Sequence, residues 1–145
     1  MKAVVQRVEK ATVSTNGKVI GTIQKGVVIL LGIAVSDTEK DADNLSAKCS
    51  LLRIFEDNDN KMNLSLLDVQ GEALVVSQFT LYADTSKGRR PSFTKAAGYD
   101  RAKILYERFV NALRVMGIHT ETGEFGSRML VSIHNDGPVT LILET

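Results

Sequence analysis

The run GVVILLGIAV, residues 26–35, constrains the fold more than any other feature, because it is almost unbroken apolar sequence rich in branched side chains. A short run of this kind is typical of a strand that is covered on both faces. Upstream, the runs AVVQRV and ATVST also predict strands, and Asn16-Gly17 joins ATVST to KVIGTI. Asn-Gly between such runs predicts a tight hairpin. The first part of the chain is therefore expected to form a sheet.

Two segments have the periodicity of helices. Ser36, with Glu39 three residues on, has the pattern of a capping box and predicts the start of a first helix. Apolar residues then recur at helical spacing: Leu45, Cys49 and Leu52. A second helix is predicted from about Asp100 to Met116, with Gly117 as its stop. Its apolar face consists of Leu105, Phe109 and Leu113.

The remaining strands are expected in the second half of the chain. EALVVSQFTLYA, residues 72–83, predicts one strand, and RMLVSIH and PVTLILE predict a strand pair about a turn at Gly137-Pro138. We therefore predict a single α+β domain over residues 1–145. It should contain a mostly antiparallel curved sheet or barrel-like β structure with two main helices packed on it.

Composition limits the possible functions. The formal charge is only +1, so any contact with RNA must be local rather than driven by a global positive field. The one cysteine, Cys49, excludes an internal disulfide and is expected in the core. The first ten residues alternate charge with valine, unlike a signal peptide, and no apolar run is long enough to span a membrane. These observations favour a cytoplasmic protein.

Few residues form a pattern that could carry acid–base or metal chemistry. Regular alternation along LVVSQFTL would place Gln78 and Thr80 on one face and Ser77 and Phe79 on the other. No His, Asp or Glu lies between residues 73 and 83, so a hydroxyl nucleophile here has no nearby base in the sequence. Ser77 and Thr80 can equally be ordinary strand hydroxyls. Two separate histidines and one cysteine build no zinc site, so no metal is expected.

One loop is locally basic. TSKGRRPSF, residues 85–93, places Lys87, Arg89 and Arg90 beside Gly88 and Phe93. Such a cluster can bind phosphate, although a solvated basic loop is the alternative.

Two longer motifs carry a resemblance to a known family. SQFTL at 77–81 together with NDGPVT at 135–140 resembles the paired motif of the D-aminoacyl-tRNA deacylases, the D-tyrosyl-tRNA deacylase family. Further similar stretches cover the rest of the chain: VVQRV at 4–8, GRRPSF at 88–93 and TGEFGSRM at 122–129. The chain departs from the family pattern at Ser127-Arg128, and at Gly98-Tyr99, where the family often begins a helix with proline.

The resemblance implies a homodimer in which Gly137-Pro138 of one subunit reaches the active site of the other. In the family this peptide is cis, and its two parallel carbonyls would hold the α-ammonium of a D-aminoacyl group. The rigid backbone would fill the space that an L side chain needs, so that L substrates are refused while glycine can enter. Arg7 resembles the residue that braces the Gly-Pro loop.

The implied reaction is hydrolysis, without a cofactor, of the ester that joins a D-amino acid to the terminal ribose of tRNA. The catalytic segment would be Ser77, Gln78, Phe79 and Thr80: the N–H groups around Phe79 and Thr80 would stabilise the oxyanion, and Gln78 would help to seat the terminal adenosine. Met129 would pack on adenine, or alternatively fill the core.

Two questions stay open at this stage. Thr80 could be a nucleophile, but the missing base favours attack by water assisted by the ribose 2′-OH. A noncatalytic module that binds an RNA end or a nucleotide would use the same loop and strand.

Overall fold

The computed structural model describes residues 1–145 and contains a six-stranded sheet, a two-stranded ribbon and two helices. The strands are β1 Lys2–Thr15, β2 Lys18–Ile23, β3 Gly26–Gly32, β4 Phe55–Glu56, β5 Met62–Leu64, β6 Glu72–Ser77, β7 Thr120–Thr122 and β8 Leu130–Glu144. The helices are α1 Glu39–Leu51 and α2 Tyr99–Val115. The main sheet has the order β2-β1-β3-β6-β7, and β8 pairs with β1.

The long strand β1 organises the sheet. The two predicted strands AVVQRV and ATVST are one continuous strand, which pairs antiparallel with β2, β3 and β8. The predicted hairpin is confirmed: Asn16 and Gly17 both have positive φ, and Thr15 faces Lys18. β3 is buried on both faces, as its continuous apolar sequence predicts.

The sheet is mostly antiparallel, as predicted, since three of its five strand pairings are antiparallel, but the other two are parallel. β6 runs parallel to both β3 and β7, because each of these connections passes through a helix and returns in the same direction. The sheet curves until its two ends nearly meet, and a Cβ on Gly21 of β2 would lie 3.2 Å from the carbonyl oxygen of Thr122 in β7. The predicted α+β, barrel-like architecture is confirmed, and the two parallel pairings are an addition to it.

The second helix agrees with its prediction to within one residue at each end, and Leu105, Phe109 and Leu113 are buried in the main core. The first helix begins later than predicted. Its N-cap is Thr38, whose N–H and hydroxyl both donate to the carboxylate of Asp41, at 2.8 and 2.6 Å. The predicted start at Ser36 is wrong because Asp37 is held by another contact: its Oδ2 accepts from the N–H of Ala34.

The C-terminal hairpin predicted around Gly137-Pro138 is also wrong. Both halves belong to β8 and pair with β1, from Leu130 opposite Ser14 to Glu144 opposite Lys2. Residues 136–139 bulge out opposite the single residue Arg7, between the pairs Val8–Asn135 and Gln6–Thr140. A bulge accommodates a proline, which cannot donate to the ladder. The Gly137-Pro138 peptide is cis, as the family resemblance implies.

Cys49 is buried in the main core, and burial raises the pKa of its thiol to about 12. Neither helix has the length and apolar character needed to cross a bilayer.

Candidate active site

The first part of the site is built where β6 ends. Ser77 is the last paired residue, and the N–H of Gln78 still donates to the carbonyl of Leu31, at 2.8 Å. The chain then turns into a short 3₁₀ helix, Phe79–Tyr82, so the prediction of a strand continuing to residue 83 is wrong. Gly32 permits the turn, since a Cβ there would lie 3.0 Å from the carbonyl oxygen of Gln78.

This turn leaves two backbone donors free. The N–H groups of Phe79 and Thr80 are the first of the 3₁₀ helix and donate to no backbone or side-chain acceptor of the protein. Adjacent free N–H groups at the start of a helical turn can bind a negatively charged oxygen. The geometry is therefore suited to stabilising an oxyanion.

A cavity of about 300 Å³ opens beside the turn. Its polar lining consists of Ser77, Gln78 and the exposed Tyr99, and it is otherwise formed by Leu31, Ile33, Phe79, Ala97, Ala102, Phe125 and Gly126. No lining residue is His, Asp, Glu, Lys, Arg or Cys. The cavity can therefore enclose an uncharged group but has no general base of its own.

The hydroxyl of Thr80 has an amide as its neighbour. Gln78 Nε2 donates to Thr80 Oγ1, and Thr80 itself is exposed and outside the cavity lining. The turn thus brings Gln78 into contact with Thr80, while Gln78 and Ser77 line the same cavity. An amide donor cannot take a proton from the hydroxyl, so this contact does not activate Thr80 as a nucleophile.

The second part of the site is the β8 bulge. Arg7 is buried, its Nε lies 2.8 Å from Asp136 Oδ2 without a well-aligned hydrogen bond, and its Nη1 donates to the carbonyl of Ile54, at 2.7 Å. Asn135 Nδ2 donates to the carbonyls of Arg7 and Val139, at 2.9 and 3.0 Å. These contacts fix the two ends of the bulge on β1.

Glycine is required at the exposed tip of the bulge. Gly137 has a φ of +112°, and a Cβ there would lie 2.8 Å from Val139 Cγ2 and 3.0 Å from Arg7 Nη2. Arg7 therefore packs directly behind Gly137, in the place where the resemblance expects a bracing residue.

Within one chain the two parts stay apart, since neither Gly137 nor Pro138 lines the cavity. Met129 is also separate: it lines a cleft with Ser14, Asn16 and Gly17, and a Cβ on Gly123 would lie 2.4 Å from its sulfur. Its packing against the smaller core cluster favours the core-filling alternative for Met129.

The basic loop lies next to the turn. Phe93 contacts Phe79 edge to face, with ring centroids 5.0 Å apart, and the strand-like pairing of Asp84 with Ser92 closes the loop. Hydrogen bonds from Ser86 hold the pKa of Asp84 below its usual range. The cationic residues of the loop are exposed and form no ion pair: Lys87, Arg89 and Arg90.

Four residues of the candidate site lie in stretches named above but were not predicted as site residues. Asn135 and Asp136 could have been found by asking what holds a bulge that contains a proline, because Asn and Asp commonly bond to nearby backbone. Tyr99 and Phe125 lie far apart in sequence, and only the packing of α2 against the residues after β7 brings their rings together. No local pattern could have predicted that pair.

The chain is similar to proteins of one family over its whole length. A profile described as D-Tyr-tRNA(Tyr) deacylase matches residues 4–144. D-aminoacyl-tRNA deacylases of Fervidobacterium nodosum and Desulfatibacillum aliphaticivorans are 57% and 59% identical over 145 residues, covering all of this chain and 97% and 99% of those proteins.

Solved structures are similar in fold. A structure described as c-Myc DNA unwinding element binding protein has a TM-score of 0.94 and 42% identity, covering 100% of this chain and 99% of that one. A probable eukaryotic D-amino acid tRNA deacylase has a TM-score of 0.87 with 19% identity, covering 98% of this chain and 97% of that one.

Proposed function

The chain belongs to the D-Tyr-tRNA(Tyr) deacylase family, and from this membership we propose that it hydrolyses the ester bond of D-aminoacyl-tRNA to free D-amino acid and tRNA. It rejects L-aminoacyl-tRNA and so acts as a chiral proofreading enzyme, for which the cytoplasm is the expected location. The observation that carries the proposal is the match of family sequence along the entire chain, with SQFTL at the cavity and NDGPVT at the bulge.

Positioning and oxyanion stabilisation supply the catalysis in this proposal. The free N–H groups of Phe79 and Thr80 bind the oxygen that becomes negative when water attacks the ester carbonyl. Gln78 and Ser77, which line the cavity, seat the terminal nucleoside. An aminoacyl ester is already activated, so correct placement of water and carbonyl removes much of the barrier.

The ribose 2′-OH, rather than Thr80, assists the attacking water. Thr80 has Gln78 Nε2 as its side-chain partner, and the cavity holds no base that could activate a hydroxyl. The 2′-OH of the substrate lies next to the ester and can hydrogen-bond to the attacking water. Thr80 then contributes its backbone N–H.

A homodimer completes the site. β8 pairs with β1 along one edge only. Its other edge is unpaired over the whole length of the strand, and the side chains of Leu130 and Ile142 on β8 are exposed. Such an edge is normally covered in a stable protein. Pairing of two copies would allow Gly137-Pro138, which projects from β8, to enter the cavity of the partner subunit. There the two carbonyls hold the α-ammonium and the backbone excludes an L side chain, while glycyl-tRNA, which has no side chain, is also accepted.

The basic loop binds the phosphates of the acceptor end. Its three free cations lie on the segment that ends at Phe93, and Phe93 contacts Phe79 of the turn. Backbone phosphates of RNA are the anions that such a loop would meet when the terminal ribose is in the site.

A second candidate is a nucleic-acid-binding module without catalysis, favoured by the description of one similar structure as a DNA unwinding element binding protein. Incubation with D-tyrosyl-tRNA and with L-tyrosyl-tRNA separates the two candidates. We expect release of D-tyrosine and little release of L-tyrosine. Binding of both RNAs without release of either amino acid would favour the module instead.

A further inference from the structure

Tyr99 is an aromatic residue on the rim of the cavity. Unlike the neighbouring Tyr106, it is neither buried nor hydrogen-bonded through its hydroxyl. Tyr106 is 4% exposed and its hydroxyl donates to the carbonyl of Val75, at 2.7 Å. Tyr99 is 58% exposed, its hydroxyl makes no hydrogen bond with the protein, and its ring lines the cavity. An exposed ring beside a cavity is available to a ligand.

The ring of Tyr99 is nevertheless held in place. It contacts Phe125 edge to face, with centroids 5.2 Å apart, and Phe125 in turn contacts the buried Tyr106 at 5.3 Å. Gly126 makes room for it, since a Cβ there would lie 2.6 Å from Tyr99 Cε2. Three rings thus run from the core to the rim and form a firm wall on one side of the cavity.

The lining of the cavity limits what can lie against this wall. Apart from the phenol of Tyr99 it contains no ionisable side chain, and most of its other residues are apolar. A phosphate group would lose hydration there without a partner of opposite charge. A flat, uncharged heteroaromatic ring gains from contact with an aromatic face, because every nucleobase can stack.

We propose that Tyr99 is a further substrate-binding residue, on whose ring the terminal base of the acceptor end stacks while the ester carbonyl lies at Phe79 and Thr80. The inference rests on the proposed function for the identity of the substrate.

The kinetic test compares Tyr99→Ala, Tyr99→Leu and Tyr99→Phe with the original chain, using D-tyrosyl-tRNA and D-alanyl-tRNA. We expect Tyr99→Ala and Tyr99→Leu to raise KM roughly tenfold for both substrates with kcat little changed, as for the loss of one base–aromatic stack. Tyr99→Phe, which keeps the ring, should restore KM. Tyr99→Leu keeps apolar bulk, so it serves if Tyr99→Ala does not fold.

Three results would overturn the inference. The first is an unchanged KM in folded Tyr99→Leu. The second is a rise in KM for D-tyrosyl-tRNA only, which would place the amino-acid side chain on the ring. The third is a fall in kcat with KM unchanged.

A binding test does not depend on hydrolysis. The chain has three tyrosines and no tryptophan, so its intrinsic fluorescence is that of tyrosine. Adenosine monophosphate should quench part of this emission, and Tyr99→Phe should bind it with similar affinity but with much less quenching. Equal quenching in Tyr99→Phe, or no binding of adenosine monophosphate, would contradict stacking on Tyr99. If the original chain binds the nucleotide but releases no D-tyrosine, the proposed function fails while the site on Tyr99 stands.

Discussion

At the scale of single residues, the candidate site consists of backbone groups and glycine rather than titratable side chains. The cavity lining holds no base, and the free donors are the N–H groups of Phe79 and Thr80. Substitutions that leave the backbone conformation unchanged should therefore retain deacylase activity, and substitutions that displace the backbone should lower it.

Substitution of Thr80 tests whether its hydroxyl or the ribose 2′-OH takes part in the reaction. Because its hydroxyl meets an amide and no base, Thr80→Ala and Thr80→Ser should keep substantial deacylase activity. A substrate whose terminal ribose carries hydrogen in place of the 2′-OH should be nearly inert. Single-turnover hydrolysis of both substrates by each variant measures this, since loss of a true nucleophile costs several orders of magnitude. A folded but inactive Thr80→Ala, with the deoxy substrate still cleaved by the original chain, would favour a threonyl ester.

Gly137→Ala should lower D-aminoacyl hydrolysis on the order of 10²-fold, because the added Cβ would collide with Val139 and Arg7 and move the carbonyls that we propose to hold the substrate. Gly117→Ala is a matched control, since Gly117 also has a positive φ, of +87°, but has no atom within 4 Å of the new Cβ. Initial rates on D-tyrosyl-tRNA, with thermal unfolding of both variants, separate the two effects. Equal losses of activity in the two would assign the effect of Gly137→Ala to backbone strain alone.

At the scale of elements, the sequence predicted correctly those helices and turns that are stabilised by contacts within one segment. The Asn16-Gly17 hairpin and α2 are set by turn chemistry and periodicity within each segment, and both are confirmed. The C-terminal run was mispredicted as a hairpin because its two halves satisfy their hydrogen bonds on the same distant strand, β1. Residues 77–80 and 137–138 were predicted as site residues from family motifs, whereas the position of Tyr99 depends on tertiary packing that no short pattern encodes.

The N-cap of α1, which is Thr38 and not the predicted Ser36, can be tested by mutation. Thr38→Ala should lower the free energy of unfolding by about 1 kcal/mol, because it removes a donor to Asp41 at the first turn. Ser36→Ala should change it little, since Ser36 is exposed and does not cap the helix. Urea unfolding of the two variants measures the difference, and a larger effect at Ser36 would restore the original prediction.

The basic loop is an element whose charge can be tested directly. Arg89→Glu with Arg90→Glu should weaken tRNA binding and flatten its dependence on salt, because fewer counterions are released from phosphate. Lys40→Glu with Lys48→Glu on α1 changes the net charge equally and serves as the control. Binding isotherms at several salt concentrations measure both pairs. If the two pairs have the same effect, net charge rather than the loop governs binding.

At the scale of the whole molecule, two core clusters lie against the curved sheet, and the larger includes Cys49. The pKa of this thiol rises from 9.0 to about 12 because burial disfavours the thiolate. The unfolded chain therefore releases this proton at lower pH than the folded one. The contribution to stability is present below about pH 9 and is lost as pH rises from 9 to about 12.

Cys49 should accordingly report global unfolding. A thiol reagent at neutral pH should modify it only as fast as the protein opens, and Cys49→Ala should show a shallower loss of thermal stability between pH 9 and 11. Rates of modification with and without urea, and thermal melts across this pH range, test both statements. Rapid modification of the folded protein would show that the core around Cys49 opens locally.

The pairing of β1 with β8 has a consequence for biosynthesis. β1 leaves the ribosome before every other strand of the sheet, yet one of its edges stays open until β8, the last strand of the fold, has been made. Contacts between such distant parts of a chain form slowly, because the intervening loop must close first. The nascent protein therefore carries an unpaired strand edge from the synthesis of β1 until that of β8, and shielding of that edge by a chaperone would matter most in this interval.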